Sequence, residues 1–197
     1  AAWLRLPWYA ADQAERLGLC LGLKVNLEGI RHPRPGLTVY EGLELCEPAT
    51  GRPILRCARL EARWQDDMDF ARQRRRFLML QAPGVEVFAE QREEWPRLLD
   101  RLLAGRLGWP EACVQFAAAE VVISDQPSLS KLAGVLGRFE SLARGTWAGL
   151  AFPSDDPAGR LATICFSRDR QSQGSGLHVR VDTGQGAVAC PLLALGW

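Results

Sequence analysis

Apolar and polar residues alternate along most of the chain, a period of two that is typical of half-buried β-strands. The clearest case is the segment 37–64, in which two alternating runs, the first interrupted only by Glu41, flank a turn rich in proline and glycine at 46–53. This pattern predicts a long hairpin with one apolar and one charged face. Shorter alternating or apolar runs predict further strands at 23–28, 77–80, 85–88, 114–123, 146–152, 161–168 and 177–182.

Two other segments have the period of an amphipathic helix. Residues 8–21 carry alanines and leucines near one face, and residues 91–107 carry leucines at i, i+3, i+4 and i+7 spacing opposite arginines and acidic residues. Residues 128–142 are ambiguous, because their leucines suit a helix whereas Gly134 and Gly137 weaken it, and we favour a strand with a bulge. The proline-rich stretch 31–36 and the charged stretch 66–76 are predicted as connections.

These elements predict a β-rich α+β fold. We expect a curved antiparallel or meandering β-sheet with an N-terminal helix and the amphipathic helix near 91–107 packed on it. Residues 1–197 would form a single module, with the helices and the first strands in 1–110 and a second strand-rich part in 111–197. Because the chain opens on Trp3, Trp8 and Tyr9 without a start Met and stops in mid-pattern at Trp197, we expect it to be the N-terminal fragment of a longer chain.

Composition narrows the classes of function. Lys plus Arg is 24 and Asp plus Glu is 23, and this balance argues against a dedicated nucleic-acid binder. With His32 and His178 as the only histidines, most histidine-based metal sites and most nucleophile–histidine catalysis are disfavoured. The six cysteines contain no CxxC pair; they are either disulfide partners or small buried apolar residues, and we favour the second. They are Cys20, Cys46, Cys57, Cys113, Cys165 and Cys190.

Charged clusters offer one candidate contact surface. Asp66, Asp67 and Asp69 lack the glycine and terminal glutamate of an EF-hand, so we expect solvated charges and no metal there. The basic cluster beside them suits either phospholipid headgroups or an acidic partner, or it is a solvated loop balanced by the aspartates. It consists of Arg72, Arg74, Arg75 and Arg76. No motif indicates catalytic residues, a metal or a cofactor, so we predict that the protein is not an enzyme.

Three consecutive segments carry a family resemblance. They are LCLGLKV at 19–25, PGLTVYEGLEL at 35–45 and EPATGRPIL at 47–55. In this order they resemble the N-terminal part of AsmA-like proteins, the family that includes AsmA and TamB. The resemblance is best over 8–64 and looser to about 190, and it consists of turn and strand chemistry. Cys46, in place of a small polar or acidic residue, and the strong helix at 91–107 depart from the pattern.

The resemblance implies a non-enzymatic module of the bacterial cell envelope. It would lie in the periplasm, tethered to the inner membrane by an N-terminal helix missing from this chain. Its curved sheet would serve phospholipid transport or outer-membrane assembly through an apolar face. Its partners would be phospholipid or a membrane surface and other envelope proteins, with no nucleic acid and no cofactor. The lipid-facing candidates are Leu43, Leu45, Ala58, Leu60 and Ala62.

One alternative stays open at this stage. The same apolar residues could pack on the 91–107 helix as a conventional closed core. The chain would then be a protein-interaction or scaffold domain without lipid, using that helix or the arginines at 72–76 to contact a partner.

Overall fold

A computed structural model describes residues 7–68, 74–91, 113–125, 128–142, 145–153, 161–169 and 178–182. Within these ranges the chain forms one α-helix, α1 (Pro7–Leu21), followed by ten β-strands and a short 3₁₀ turn at Ala89–Gln91. The strands are β1 (Lys24–Asn26), β2 (Gly29–Arg34), β3 (Leu37–Cys46), β4 (Pro53–Met68), β5 (Arg74–Phe88), β6 (Cys113–Asp125), β7 (Ser128–Leu142), β8 (Gly145–Pro153), β9 (Leu161–Asp169) and β10 (His178–Asp182). The predicted β-rich α+β class is confirmed.

The described strands belong to one sheet that is not closed. Its order is β1-β3-β4-β5-β6-β7-β8-β9-β10, and β2 pairs with β3 alongside β1. Every pairing is antiparallel except that of β5 with β6, which is parallel. The sheet is therefore mixed, in contrast to the expected antiparallel meander. The predicted helix at 91–107 lies, from residue 92 on, outside the described residues.

The hairpin predicted at 37–64 is confirmed as β3 and β4. Leu43 lies opposite Cys57, and Leu37 lies opposite Arg63. The turn between the strands is closed by two backbone hydrogen bonds, from the Glu47 N–H to the Arg52 carbonyl at 2.9 Å and from the Gly51 N–H to the Glu47 carbonyl at 2.8 Å. The turn chemistry at 46–53 thus sets the register of the hairpin.

Three sequence predictions about strand boundaries are wrong. The segment 31–34 is part of β2 and not a connection; Pro33 is tolerated because β2 is an edge strand that pairs only with β3, with a register shift between Arg31 and Arg34. The two strands predicted at 77–80 and 85–88 are one strand, β5. Within the predicted charged connection, residues 66–68 extend β4 and residues 74–76 begin β5.

Most of the core lies against one face of this sheet, whereas Leu37 and Val39 of β3, which pair with Arg63 and Glu61, are buried on the other face. Its main cluster combines Ala14 of α1 with apolar residues from eight strands. The most deeply buried members are Phe152 at 1%, Cys57 at 2% and Ile164 at 2% exposure. Two smaller clusters continue the same layer, one around Ile54 and one around Leu78. Because β-strand side chains alternate between faces, a single apolar layer requires a matching period in every strand.

Candidate functional site

The face that carries this core, called the inner face below, is the candidate functional surface. Two rows of directly opposed residues show its extent. One row crosses seven strands through Thr38, Ala62, Leu80, Phe116, Gly137, Leu150 and Ile164. The other runs through Leu45, Leu55, Val87, Ile123 and Ser130. The inner face is therefore apolar from β3 to β9.

In five neighbouring strands the alternation between inner-face and outer-face residues is interrupted at the same level of the sheet. We call this line across the strands the crease. In β3 to β7 the core residues on either side of the crease are three positions apart, and the two residues between them are partly or fully exposed. These exposed pairs are 41–42, 58–59, 83–84, 119–120 and 133–134. They lie at one level of the sheet, since Glu41 pairs with Arg59, Gly84 with Glu120 and Glu120 with Ala133.

The strands stay in register across the crease because neighbouring strands contain the same interruption at the same level. The pairing of β3 with β4 keeps one offset from Leu37 to Leu45, and the pairing of β6 with β7 does so over its whole length. The strand predicted at 128–142 is thus confirmed, and its extra residue at Gly134 is matched by one in β6. With a uniform period of two, apolar residues on one side of the crease would turn to the opposite face.

Glycine and proline occupy the crease where the backbone departs from ordinary strand geometry. Gly42 and Gly134 have φ angles of +57° and +61°, a region that residues with a Cβ rarely adopt. Pro83 has no N–H to donate to a neighbouring strand. Between Arg56 and Glu61, four residues of β4 have no paired partner in β5.

The structure places the five predicted lipid-facing residues unequally. Leu43 is buried in the main cluster, and Leu45 and Leu60 are partly buried against it. Ala62 is buried in the cluster around Leu78. Ala58 is exposed, because it is one of the two crease residues of β4. Four of the five therefore lie on the inner face.

At one border of the inner face an exposed tryptophan lies close to the basic cluster. Trp64 is opposite Leu78 in the last described apolar row of β4 and β5 and is 44% exposed. Two residues further, Asp66 pairs in register with Arg76, and Asp67 pairs with Arg75. Arg74 pairs with Met68, and Arg72 lies outside the described residues. Trp64 and residues 74–76 form this border, which we call the basic rim.

The opposite, outer face carries a ladder of charges. The Arg56 guanidinium lies 2.8 Å from a Glu44 carboxylate oxygen and 3.5 Å from one of Glu86, and 5.3 Å from the centre of the Phe88 ring. Hydrogen bonds from Arg56 and then from the Asn26 amide lower the pKa of Glu44. The ladder makes this part of the outer face polar, which distinguishes it from the inner face.

A shallow groove of about 700 Å³ lies between α1 and β1. It is lined mainly by small and apolar residues, including Ala11, Gly18, Leu19 and Val25, with Glu15 and Lys24 also in its lining. Leu19 is 78% exposed. No sequence signal singled out this groove, because it forms only when the helix packs on the sheet.

Cys20, Cys46, Cys57 and Cys165 are free thiols. Cys46, Cys57 and Cys113 are buried, as expected for small apolar residues, whereas Cys20 is exposed. Burial raises the pKa of the Cys46 and Cys57 thiols, and the Cys57 thiol donates a hydrogen bond to the Arg59 carbonyl at 3.0 Å. Cys190 lies outside the described residues.

The described part of the chain contains neither a metal-binding group of side chains nor a membrane-spanning helix. No group of three or more histidine, cysteine, aspartate or glutamate residues there is arranged to hold a metal ion. None of its helices is long and apolar enough to cross a membrane. Comparisons of the chain with models of known protein families, with curated proteins and with solved structures found no match.

Proposed function

We propose that this chain is a non-enzymatic module of the bacterial cell envelope that handles phospholipid acyl chains on its inner face. The observation that supports the proposal is the row of uncharged, mostly apolar residues that crosses seven strands of an open sheet. Burial of apolar surface is favourable by about 25 cal/mol per Å² and needs no directional contact, so such a face accepts an acyl chain without a shaped pocket.

The basic rim supports the same function. Arginines bind phosphate groups through their planar guanidinium forks, and tryptophan is enriched where apolar and aqueous regions of a membrane meet. By strand register, Trp64 and residues 74–76 lie at one end of β4 and β5, next to the apolar surface, where a headgroup would remain in water. In this arrangement the phosphate contacts the rim, and the acyl chains extend along the inner face.

The location follows from the resemblance of residues 8–64 to AsmA-like proteins. We propose a periplasmic module next to the inner membrane, with phospholipid or a membrane surface as its partner and other envelope proteins as further contacts. Phospholipid transport or envelope assembly is the role that this resemblance implies.

Lipid binding is tested with the intact chain and vesicles of phosphatidylethanolamine and phosphatidylglycerol that contain a fluorescent phospholipid. We expect native mass spectrometry to detect bound phospholipid and fluorescence to report uptake. Because each basic residue contributes about 1 kcal/mol of attraction to an anionic surface, the triple variant R74Q/R75Q/R76Q is expected to bind vesicles about 100-fold more weakly. A matched control is R16Q/R31Q/R52Q, three exposed arginines in α1, in β2 and in the turn at 46–53, which should retain most binding.

A second function, a protein-interaction or scaffold domain with a closed core, is favoured by one observation. Phe152 and Ile164, both on the inner face, are only 1% and 2% exposed. A protein without bound lipid that takes up no fluorescent phospholipid would refute the first proposal, and capture of a protein partner by the lipid-free chain would support this alternative.

A further inference from the structure

We infer that the crease is a hinge along which the sheet opens its inner face to an acyl chain. This inference rests on the proposed function, because it explains how a ligand reaches inner-face residues that are buried in the structure. Next to the crease the inner face is covered, with Cys57 at 2%, Val85 at 6% and Val121 at 6% exposure. An acyl chain can reach these side chains only if the groups that bury them move away, and we place that movement at the crease.

The backbone makes the crease the weakest level of the central sheet. Leu55 and Arg56 of β4 are paired with β5, pairing stops for residues 57–60, and it resumes from Glu61 to Met68. The facing residues of β5, 82–85, include Pro83, which has no N–H to contribute. Stretches with fewer interstrand hydrogen bonds open at lower free energy than the flanking strands.

Neighbouring strands have the backbone freedom that a hinge requires. Gly42 in β3 and Gly134 in β7 adopt positive φ angles at the same level. Glycine changes between positive and negative φ without the steric penalty that a Cβ imposes. Four features therefore lie at the level of the crease. They are Gly42 in β3, the unpaired residues 57–60 of β4, Pro83 in β5 and Gly134 in β7.

A hinge at this level also explains why five strands share the shift. A bulge in one strand would re-aim a single side chain and break the register with its neighbours. Aligned shifts let the two halves of the sheet rotate about one line while the pairing on each side is retained. The inner face would open along the crease, and the cross-strand rows on both sides would stay intact.

Cys57 is a built-in reporter of this opening. Its side chain lies on the inner face beside the crease, and its thiol donates to the Arg59 carbonyl, which belongs to the crease pair of β4. In the closed sheet the thiol is shielded and its pKa is raised by burial, so alkylation is slow. Rotation about the crease exposes it without unfolding the protein.

The test measures the rate at which iodoacetamide alkylates Cys57 in the full chain. Peptide mass spectrometry identifies the alkylated residue. The variant Pro83→Val supplies an N–H and a strand-forming side chain, and we expect it to slow Cys57 alkylation about 10-fold. The control Gly36→Ala is a positive-φ glycine in the turn between β2 and β3, with φ +75° and open space around it. It lowers global stability but leaves the crease unchanged, so Cys57 alkylation should stay at the wild-type rate.

Two results would overturn the hinge. One is acceleration of Cys57 alkylation in Gly36→Ala by the same factor as its unfolding constant, which would show that the thiol is reached only by global unfolding. The other comes from hydrogen exchange of the wild type, which needs no variant to fold. Equal protection of the amides at 57–60 and at 61–64 would exclude a local opening.

Vesicles separate this inference from the proposed function. Vesicles of phosphatidylethanolamine and phosphatidylglycerol should change the Cys57 alkylation rate at least about 3-fold, because an acyl chain occupies the opened face. If Cys57 reacts through the crease but no lipid binds, the hinge is supported and the lipid function fails. If lipid binds while Cys57 reacts only through global unfolding, the function stands and the hinge is refuted.

Discussion

Phe152→Ala tests whether the inner face is packed as the structure shows. Phe152 lies in β8, belongs to the main cluster and is 1% exposed. Removing a buried phenylalanine ring loses its transfer free energy and leaves a cavity, which together cost about 3–5 kcal/mol. For a chain of this size each kcal/mol lowers Tm by about 2–4 °C, so a decrease of roughly 6–20 °C is expected.

The assay is urea unfolding followed by tryptophan fluorescence and far-UV circular dichroism. The matched control is Leu136→Ala in β7, which removes an apolar side chain that is 49% exposed. We expect the control to lose less than about 1 kcal/mol, because its side chain keeps much of its contact with water. A loss of less than about 1 kcal/mol for Phe152→Ala would refute the packing of β8 onto the core.

Two further predictions concern the crease and the charge ladder. At Gly42, where φ is +57° and an added Cβ would overlap the Glu28 side chain, alanine should destabilise by about 1–2 kcal/mol in urea unfolding. A change below about 0.3 kcal/mol would contradict the required positive φ. Because hydrogen bonds from Arg56 and Asn26 hold the pKa of Glu44 below its ordinary value of 4.5, this carboxylate stabilises the fold fully above pH 4.5 and loses its effect as the pH falls through its folded-state pKa. Wild type should therefore be more stable than Glu44→Gln at pH 7, and the difference should shrink as acid is added; a difference independent of pH would refute the linkage.

Much of the fold could be predicted from local patterns. The alternation at 37–45 and 54–64 with a turn between them specified a hairpin, because a period of two with one apolar face has few other solutions. The helix at 8–21 was predictable from its 3.6-residue period. Boundaries were less accurate: Pro33 indicated a connection, whereas an edge strand tolerates a proline whose missing donor is not needed.

The crease left separate traces in the sequence that local reasoning could not connect. Glu41 interrupted one alternation, Pro83 and Gly84 divided what seemed to be two strands, and Gly134 suggested a bulge. Each trace has an ordinary local explanation. Only the register shows that they face one another across the sheet and form one line.

The residues of the candidate surface could also be predicted only in part from the sequence. Four of the five residues proposed from the hairpin pattern lie on the inner face, and Ala58 does not, because the shift at the crease turns it outward. A period-two pattern assumes an uninterrupted pleat, and a single extra residue reverses the prediction for every position beyond it. The groove between α1 and β1 also depends on packing and had no sequence signal.

The amino-acid sequence determined the β-rich class, the hairpin, the first helix and the turn at 46–53, because these depend on side-chain period and on backbone preferences of nearby residues. The tertiary structure alone decided that β5 and β6 are parallel, that five strands shift together and that Trp64 and residues 74–76 lie at the same end of the β4–β5 pair. The physical reason is that strand order and register depend on contacts between residues far apart in the chain, which no local pattern encodes.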